Sequence, residues 1–300
     1  MVKTMRYDEL LSQLTKALEF CRSVNLAEAV DASRFREYQT RIERLCETIQ
    51  KYPLADLPPA IAAELREQTL EYVLSLTESM EFVDSIAFLK TYPAEITRRK
   101  IAKVLAGPLL PNDEDENSNE ARNTLFELNI AARLRRAGIS ASPGVDADVE
   151  CEIDGRKLLI ECKRPFRERN VAKQIRKAGK QLKTRLPGTS AGSRGIVAVS
   201  LSKTLNRGDK FFVYTEELRA KEVLSRRLEG LAERVKNSWI RLGKDGVIGI
   251  LFHVVTASLD RKNDRYNLGE QLNAHPLAPD GSADYGVFKR LCGALASLQH

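Results

Sequence analysis

Apolar residues recur at helical spacing through the first hundred positions and then switch to strand-like alternation. Leu10, Leu11, Leu14, Leu18 and Cys21 form one stripe, and Phe35, Tyr38, Ile42, Leu45 and Ile49 form a second after a cap near Asp31 to Ser33. Tyr52-Pro53 ends that run. A third segment starts at Pro58-Pro59 and continues through Ile61, Leu65, Leu70, Val73 and Leu74, with further helices expected over 80–90 and 93–105. Residues 107–120, with Pro, Gly, Asn and five acids, read as a solvated linker. A helix capped by Ser118 or Asn119 is expected next, with Leu125, Leu128, Ala131, Ala132 and Leu134 on its stripe and a stop at Gly138.

The period then changes. Residues 148–153 and 157–163 flank Asp154-Gly155, the dipeptide favoured in a two-residue type I′ hairpin. That turn pairs Ile153 with Arg156 and, counting outward, Val149 with Ile160 and Asp148 with Glu161. Val149, Cys151, Ile153, Leu158, Ile160 and Cys162 then share an apolar face. Asp146, Asp148, Glu161 and Lys163 share the other, with Asp146 opposite Lys163, where a salt bridge is its ordinary role. A longer or bulged turn would shift this register. Beyond the hairpin, 167–186 predicts a long basic helix buried through Val171, Ile175, Ala178 and Leu182. Residues 196–201 and 247–255 read as strands apolar on both faces. The span 215–242 reads as helical, with Trp239 in the core, and 285–298 as a short last helix. His253, in an apolar strand, is expected to be a core histidine, and residues 260–277 read as irregular and polar.

Composition narrows the class. With 43% hydrophobic and 30% charged residues, the chain is ordinary for a globular protein. No uninterrupted apolar run is long enough to span a bilayer and no export signal is apparent, so a cytoplasmic protein without a membrane partner is expected. Five scattered cysteines without a C-x-x-C pair point to free thiols rather than a zinc site or disulfide framework. Charge is unevenly spread. Residues 121–300 carry 33 Lys and Arg against 20 Asp and Glu, whereas 1–110 carry 15 against 16 and 111–120 none against 5. The basic excess lies with the hairpin, as expected of a region that docks on phosphates.

Two carboxylates directly opposed across a hairpin, with Cβ atoms about 4.5–5.5 Å apart, destabilise a sheet unless something relieves them. A hard divalent cation does so, since Mg²⁺ (or Mn²⁺) takes carboxylate oxygens and keeps waters for chemistry. Asp148 followed by Glu161-Cys162-Lys163 across a turn resembles the active-site signature of the PD-(D/E)XK nuclease superfamily. One departure is visible: Pro143 precedes Asp146 by three residues, so no Pro-Asp dipeptide exists. The resemblance covers roughly residues 118–257 and implies an α/β restriction-endonuclease-like fold, a mixed sheet flanked by helices, behind an all-α region at 1–110 and a linker at 111–120. It further implies a Mg²⁺-dependent nuclease, with Asp148, Glu161 and the main-chain carbonyl of Cys162 as metal ligands and Lys163 as catalytic cation. Glu127, in an E-x-x-x-A-x-x-L-x-x-x-G setting with Ala131, Leu134 and Gly138, would face the metal, with exposure on its helix the plain alternative. Gln181 is the glutamine expected near the site, with solvent exposure equally compatible.

Arg164, Arg167, Lys173, Arg176, Lys177 and Lys180 would hold the nucleic-acid backbone, DNA in preference to RNA. Two competing readings remain: a non-cleaving nucleic-acid or protein-binding module on the same fold, and a wholly helical adaptor with a chance E-x-K. The N-terminal helices carry no motif beyond their period and are expected to serve a homodimer or protein contact.

Overall fold

The hairpin forms in the register its turn dictates. Asp154 and Gly155 both take positive φ, 52° and 71°, as a type I′ turn demands. Strands β2 (Val149–Ile153) and β3 (Arg156–Lys163) pair from Ile153 with Arg156 to Val149 with Ile160. Around them the computed structural model describes residues 7–52, 57–114, 119–144, 146–205, 212–214, 217–260 and 265–297. Pro53 and Ser118, named above, and positions 215 and 298, where two of the expected helices begin or end, lie outside these residues.

Seven strands make one mixed sheet. β1 (Ser140–Pro143), which the alternation did not reveal, adds antiparallel to β2. From β3 the chain crosses through α8 (Glu168–Arg185) to β4 (Arg194–Ser200), parallel to β3. After α9 (Ser202–Leu205), β5 (Phe212–Tyr214) and α10 (Glu217–Arg234) comes β6 (Val247–Asp260), parallel to both β4 and β5. The last strand corrects the sequence reading: residues 265–276 are not irregular but form β7 (Arg265–Pro276), antiparallel to β6 along its length. Its many polar residues mask the pattern, and β6 accordingly runs five residues beyond Val255. Helix α10 stops at Arg234, short of 242, and 3₁₀ turns carry the chain to Asp245.

Helices cover both faces. α8 and α10 bury Val171, Ile175, Leu182, Leu228 and Leu231 against Leu159, Val197, Val199, Ile250 and Phe252. On the other face α7 (Glu120–Arg136) and α11 (Ala283–Ser297) lie against Val149, Cys151, Ile160, Ile196 and Leu251. The N-terminal helices α1 (Tyr7–Ser23), α2 (Ala27–Asp31), α3 (Arg34–Lys51), α4 (Pro59–Glu67), α5 (Thr69–Leu89) and α6 (Ala94–Leu105) stack outside α7 and join the same apolar cluster. α5 is one continuous helix where two were expected. It is buried nearly all round, as befits an inner helix between neighbours.

An ion network ties these layers. Glu78 of α5 accepts from Arg34 Nε of α3 at 2.8 Å and from Arg122 Nε of α7 at 2.5 Å, and Arg122 Nη1 donates to Glu114 at 2.6 Å. Glu114 corrects the reading of 111–120 as solvated, because its side chain is fully buried. Arg122 and Arg34 neutralise Glu78 and Glu114, which is what lets four charged side chains leave water together.

Candidate functional site

The site lies where β3 ends. Before β2 the chain makes a tight reversal in which Gly144 N–H donates to Asp148 O at 3.2 Å, and a Cβ on Gly144 would collide with Ala147 O. The reversal hands Asp148 to the neighbouring strand: its Oδ2 accepts the Cys162 main-chain N–H at 2.7 Å. Lys163 Nζ donates to the same Oδ2 at 3.5 Å and to Glu161 Oε2 at 3.0 Å. Asp148, Glu161 and Lys163 are thus brought together, although the ladder itself ends at Val149 and Ile160 and Asp148 lies in the bend before β2. Asp146 is not. It turns away, its N–H donating to Glu150 Oε1 at 2.8 Å and its carboxylate accepting from Lys157 at 3.2 Å. The expected Asp146–Lys163 pairing is therefore corrected, because the reversal at Gly144 breaks the strand alternation that predicted it.

Burial sets the electrostatics. Glu161 is inaccessible to solvent; burial and the Asp148 charge raise its pKa, with Lys163 and Arg185 pulling the other way. Burial alone would lower the Lys163 pKa, but Asp148 and Glu161 outweigh it and hold the ammonium protonated. The Cys162 thiol faces the core, and burial together with Asp148 and Glu127 pushes it far above its ordinary range, so it is not a nucleophile. Glu127 on α7 is pushed up to about 7 by burial and by Asp148, against Lys100 and Lys163. It therefore shares the electrostatic field of the site.

Two participants escaped sequence reasoning. Arg185, at the end of α8, donates from Nη1 to Glu161 Oε1. It falls one turn after Gln181 on the same helix face, a spacing that could have flagged it. Lys100 of α6 lies 3.6 Å from Glu127, and no local pattern announces it, since only the fold brings α6 to α7. Gln181 is partly buried, its Oε1 without a hydrogen-bond partner among the described residues. Arg167, Lys173, Arg176, Lys177 and Lys180 are exposed, whereas Arg164 turns inward, 14% exposed and 3.8 Å from Glu114. Arg164 is thereby removed from the row of surface cations.

Hard carboxylate oxygens at Asp148, Glu161 and Glu127 are the donor type Mg²⁺ and Mn²⁺ prefer. Among the described residues, however, no three His, Cys, Asp or Glu side chains converge as a ready-made metal group. Lys163 and Arg185 engage both Glu161 oxygens instead. Arg185 reaches Glu161 from the end of α8 with its side chain 37% exposed. Among the described residues no helix is long and apolar enough to cross a membrane. No protein-family model and no curated protein matches the chain, so the chemistry rests on the α/β fold and on these side chains.

Proposed function

We propose that this chain is a Mg²⁺-dependent nuclease with a restriction-endonuclease-like core of the PD-(D/E)XK type, hydrolysing phosphodiester bonds in DNA in preference to RNA. The observation that carries the reading is the Asp148–Lys163–Glu161 cluster at the end of β3, in which two carboxylates share one lysine and a main-chain N–H fixes one of them. Asp148, Glu161, the Cys162 carbonyl and Glu127 are the groups that would hold Mg²⁺ or Mn²⁺. When bound, the ion supplies Lewis acidity towards the phosphoryl oxygen and lowers the pKa of a water.

The rest falls to the protein's own residues. The Cys162 N–H holds the Asp148 carboxylate in one orientation before any ligand arrives. Lys163, kept cationic, stabilises negative charge that grows on the phosphoryl oxygens in the transition state. Lys100 orients Glu127, and Arg185 releases Glu161 as substrate and ion enter. Arg167 and the exposed lysines and arginine of α8 hold the backbone through phosphate contacts, so affinity should fall steeply with salt.

Plasmid nicking in Mg²⁺ tests the reading. Lys163→Ala and Asp148→Asn should each lose roughly 10²–10³-fold in rate, the scale for removing a transition-state charge stabiliser. Nicking that survives undiminished in both refutes it. A second reading, a nucleic-acid-binding module that does not cut, draws on the engagement of both Glu161 oxygens by cations. It predicts no saturable Mn²⁺ binding by calorimetry.

A further inference from the structure

A cavity of about 50 Å³ lies between α5, α7, α9 and the ends of β4 and β6. Its lining includes Thr77, Glu78, Glu81, Arg164, Ser202 and Lys203. A buried water needs about 10–15 Å³ of such space, so the cavity has room for about three to five waters or for one tetrahedral oxyanion. We propose that it binds a phosphate-type oxyanion, held by Arg164 and Ser202 beside the charge of Lys203.

Unused donors point the same way. Arg164 carries five N–H groups on a side chain only 14% exposed, and its one ion-pair contact, Glu114 at 3.8 Å, is too long for a hydrogen bond. The guanidinium lines the cavity and makes no hydrogen bond among the described residues, so its N–H groups are open to an acceptor that enters there. Ser202 Oγ accepts from Val255 N–H at 2.9 Å and from Ser200 Oγ at 3.4 Å, which leaves its own proton to donate. Lys203 Nζ already directs its protons at Pro111 O, at Glu114 (3.3 Å) and at the Phe166 ring (3.0 Å), so it supplies positive charge beside the cavity rather than a free donor.

The charge balance agrees. Among the described residues, Arg34, Arg122, Arg164 and Lys203 face Glu78, Glu81 and Glu114, an excess of one cation in a largely dry cluster. Glu78 and Glu114 are each engaged by two or more of these cations, while Glu81 has no ion pair among the described residues. Burial lowers Lys203 to about 7 in spite of Glu114, with Arg164 adding to the fall. Burial likewise raises Glu81 to about 7, against the pull of Arg164. An anion would relieve the excess, and a protonated Glu81 would donate to it rather than repel it. An Arg fork and a hydroxyl, with an ammonium charge beside them, are suited to a phosphate group. That group is either free inorganic phosphate or the phosphate of a small nucleotide.

Isothermal titration of the full, metal-free chain with sulfate, inorganic phosphate and AMP, against chloride at matched ionic strength, decides the matter. One-to-one saturable binding of sulfate and phosphate is expected, unmatched by chloride. AMP binding at least tenfold tighter than phosphate identifies a nucleotide as the source, and phosphate binding without AMP identifies the free ion. Ser202→Ala should weaken binding roughly 10–100-fold, the worth of one hydrogen bond to a charged group, and Arg164→Gln should abolish it. Circular dichroism confirms that each variant is folded, and Ser202→Ala carries the test if Arg164→Gln is not. The proposal fails if no saturable heat appears, if folded Ser202→Ala binds as the wild type does, or if Lys177→Gln removes binding and so places the anion on α8. None of these outcomes touches the nuclease reading.

Discussion

Glu78→Gln removes one negative charge from the most enclosed ion network among the described residues while nearly preserving shape. Glu78 is 5% exposed, and its partners Arg34 and Arg122 are 0% and 1% exposed, so solvent cannot compensate for the loss. Breaking one member of a buried charge cluster costs about 3–5 kcal/mol, because the partners stay buried and uncompensated. Proton linkage gives an independent figure. Burial would raise the Glu78 carboxyl, but Arg122 and Arg34 outweigh it and draw it from 4.5 to about 2. At about 1.4 kcal/mol per unit this is about 3 kcal/mol, present in full above the unfolded-state value and lost as pH falls from 4.5 through about 2. Urea unfolding followed by circular dichroism should therefore show Glu78→Gln about 3 kcal/mol less stable at pH 7, with the gap narrowing progressively below pH 4.5. A deficit under about 1 kcal/mol at pH 7, or a gap indifferent to acid, would show that the network is not a net source of stability.

Three further perturbations probe the site. Arg185→Ala frees one oxygen of Glu161, and since the arginine side is 37% exposed while the carboxylate is buried its removal should tighten Mn²⁺ binding by roughly two- to fivefold; weaker binding in calorimetry would refute competition between the arginine and the ion. Glu127, raised to about 7 by burial and Asp148, costs stability as pH climbs from 4.5 through 7. In EDTA, Glu127→Gln should gain on wild type by on the order of 1–3 kcal/mol between pH 5 and 8.5, and parallel urea midpoints across that range would contradict the assignment. Gly144→Ala forces a Cβ into Ala147 O and should destabilise by about 1–3 kcal/mol while slowing nicking, whereas Gly188→Ala, with open space around it, should change neither.

The hairpin was readable because its information is local. A two-residue turn of known twist sets register, and register sets which side chains share a face, so Glu161 and Lys163 could be placed from residue order, while Asp148, one residue beyond the ladder, reaches them from the bend before β2. What failed depends on chain segments far apart. Asp146 was misplaced because a reversal at Gly144, one residue type in a short loop, ends the alternation. β7 was unreadable because a strand next to a long central neighbour draws its order from the ladder rather than from its own apolar content. Glu114 looked solvated among other acids, and only Arg122 and Lys203, brought from α7 and α9, explain its burial. Lys100 was invisible as a site residue for the same reason, since it meets its carboxylate across the α6–α7 interface, whereas Arg185 was signalled only by its spacing from Gln181.

Helix α7 has almost no face of its own. Between Ala121 and Leu134 it buries residues in every direction, apolar towards the sheet and polar, through Arg122, towards α3 and α5. A helix shared by two layers cannot leave one without exposing the other, so the layers should melt in a single transition. Its amide hydrogens should then exchange only through global unfolding, at the slowest rate in the molecule. Glu127, carried on that helix, is therefore held by the part of the chain least given to local opening, and its position beside the β3 site should persist through any motion short of denaturation.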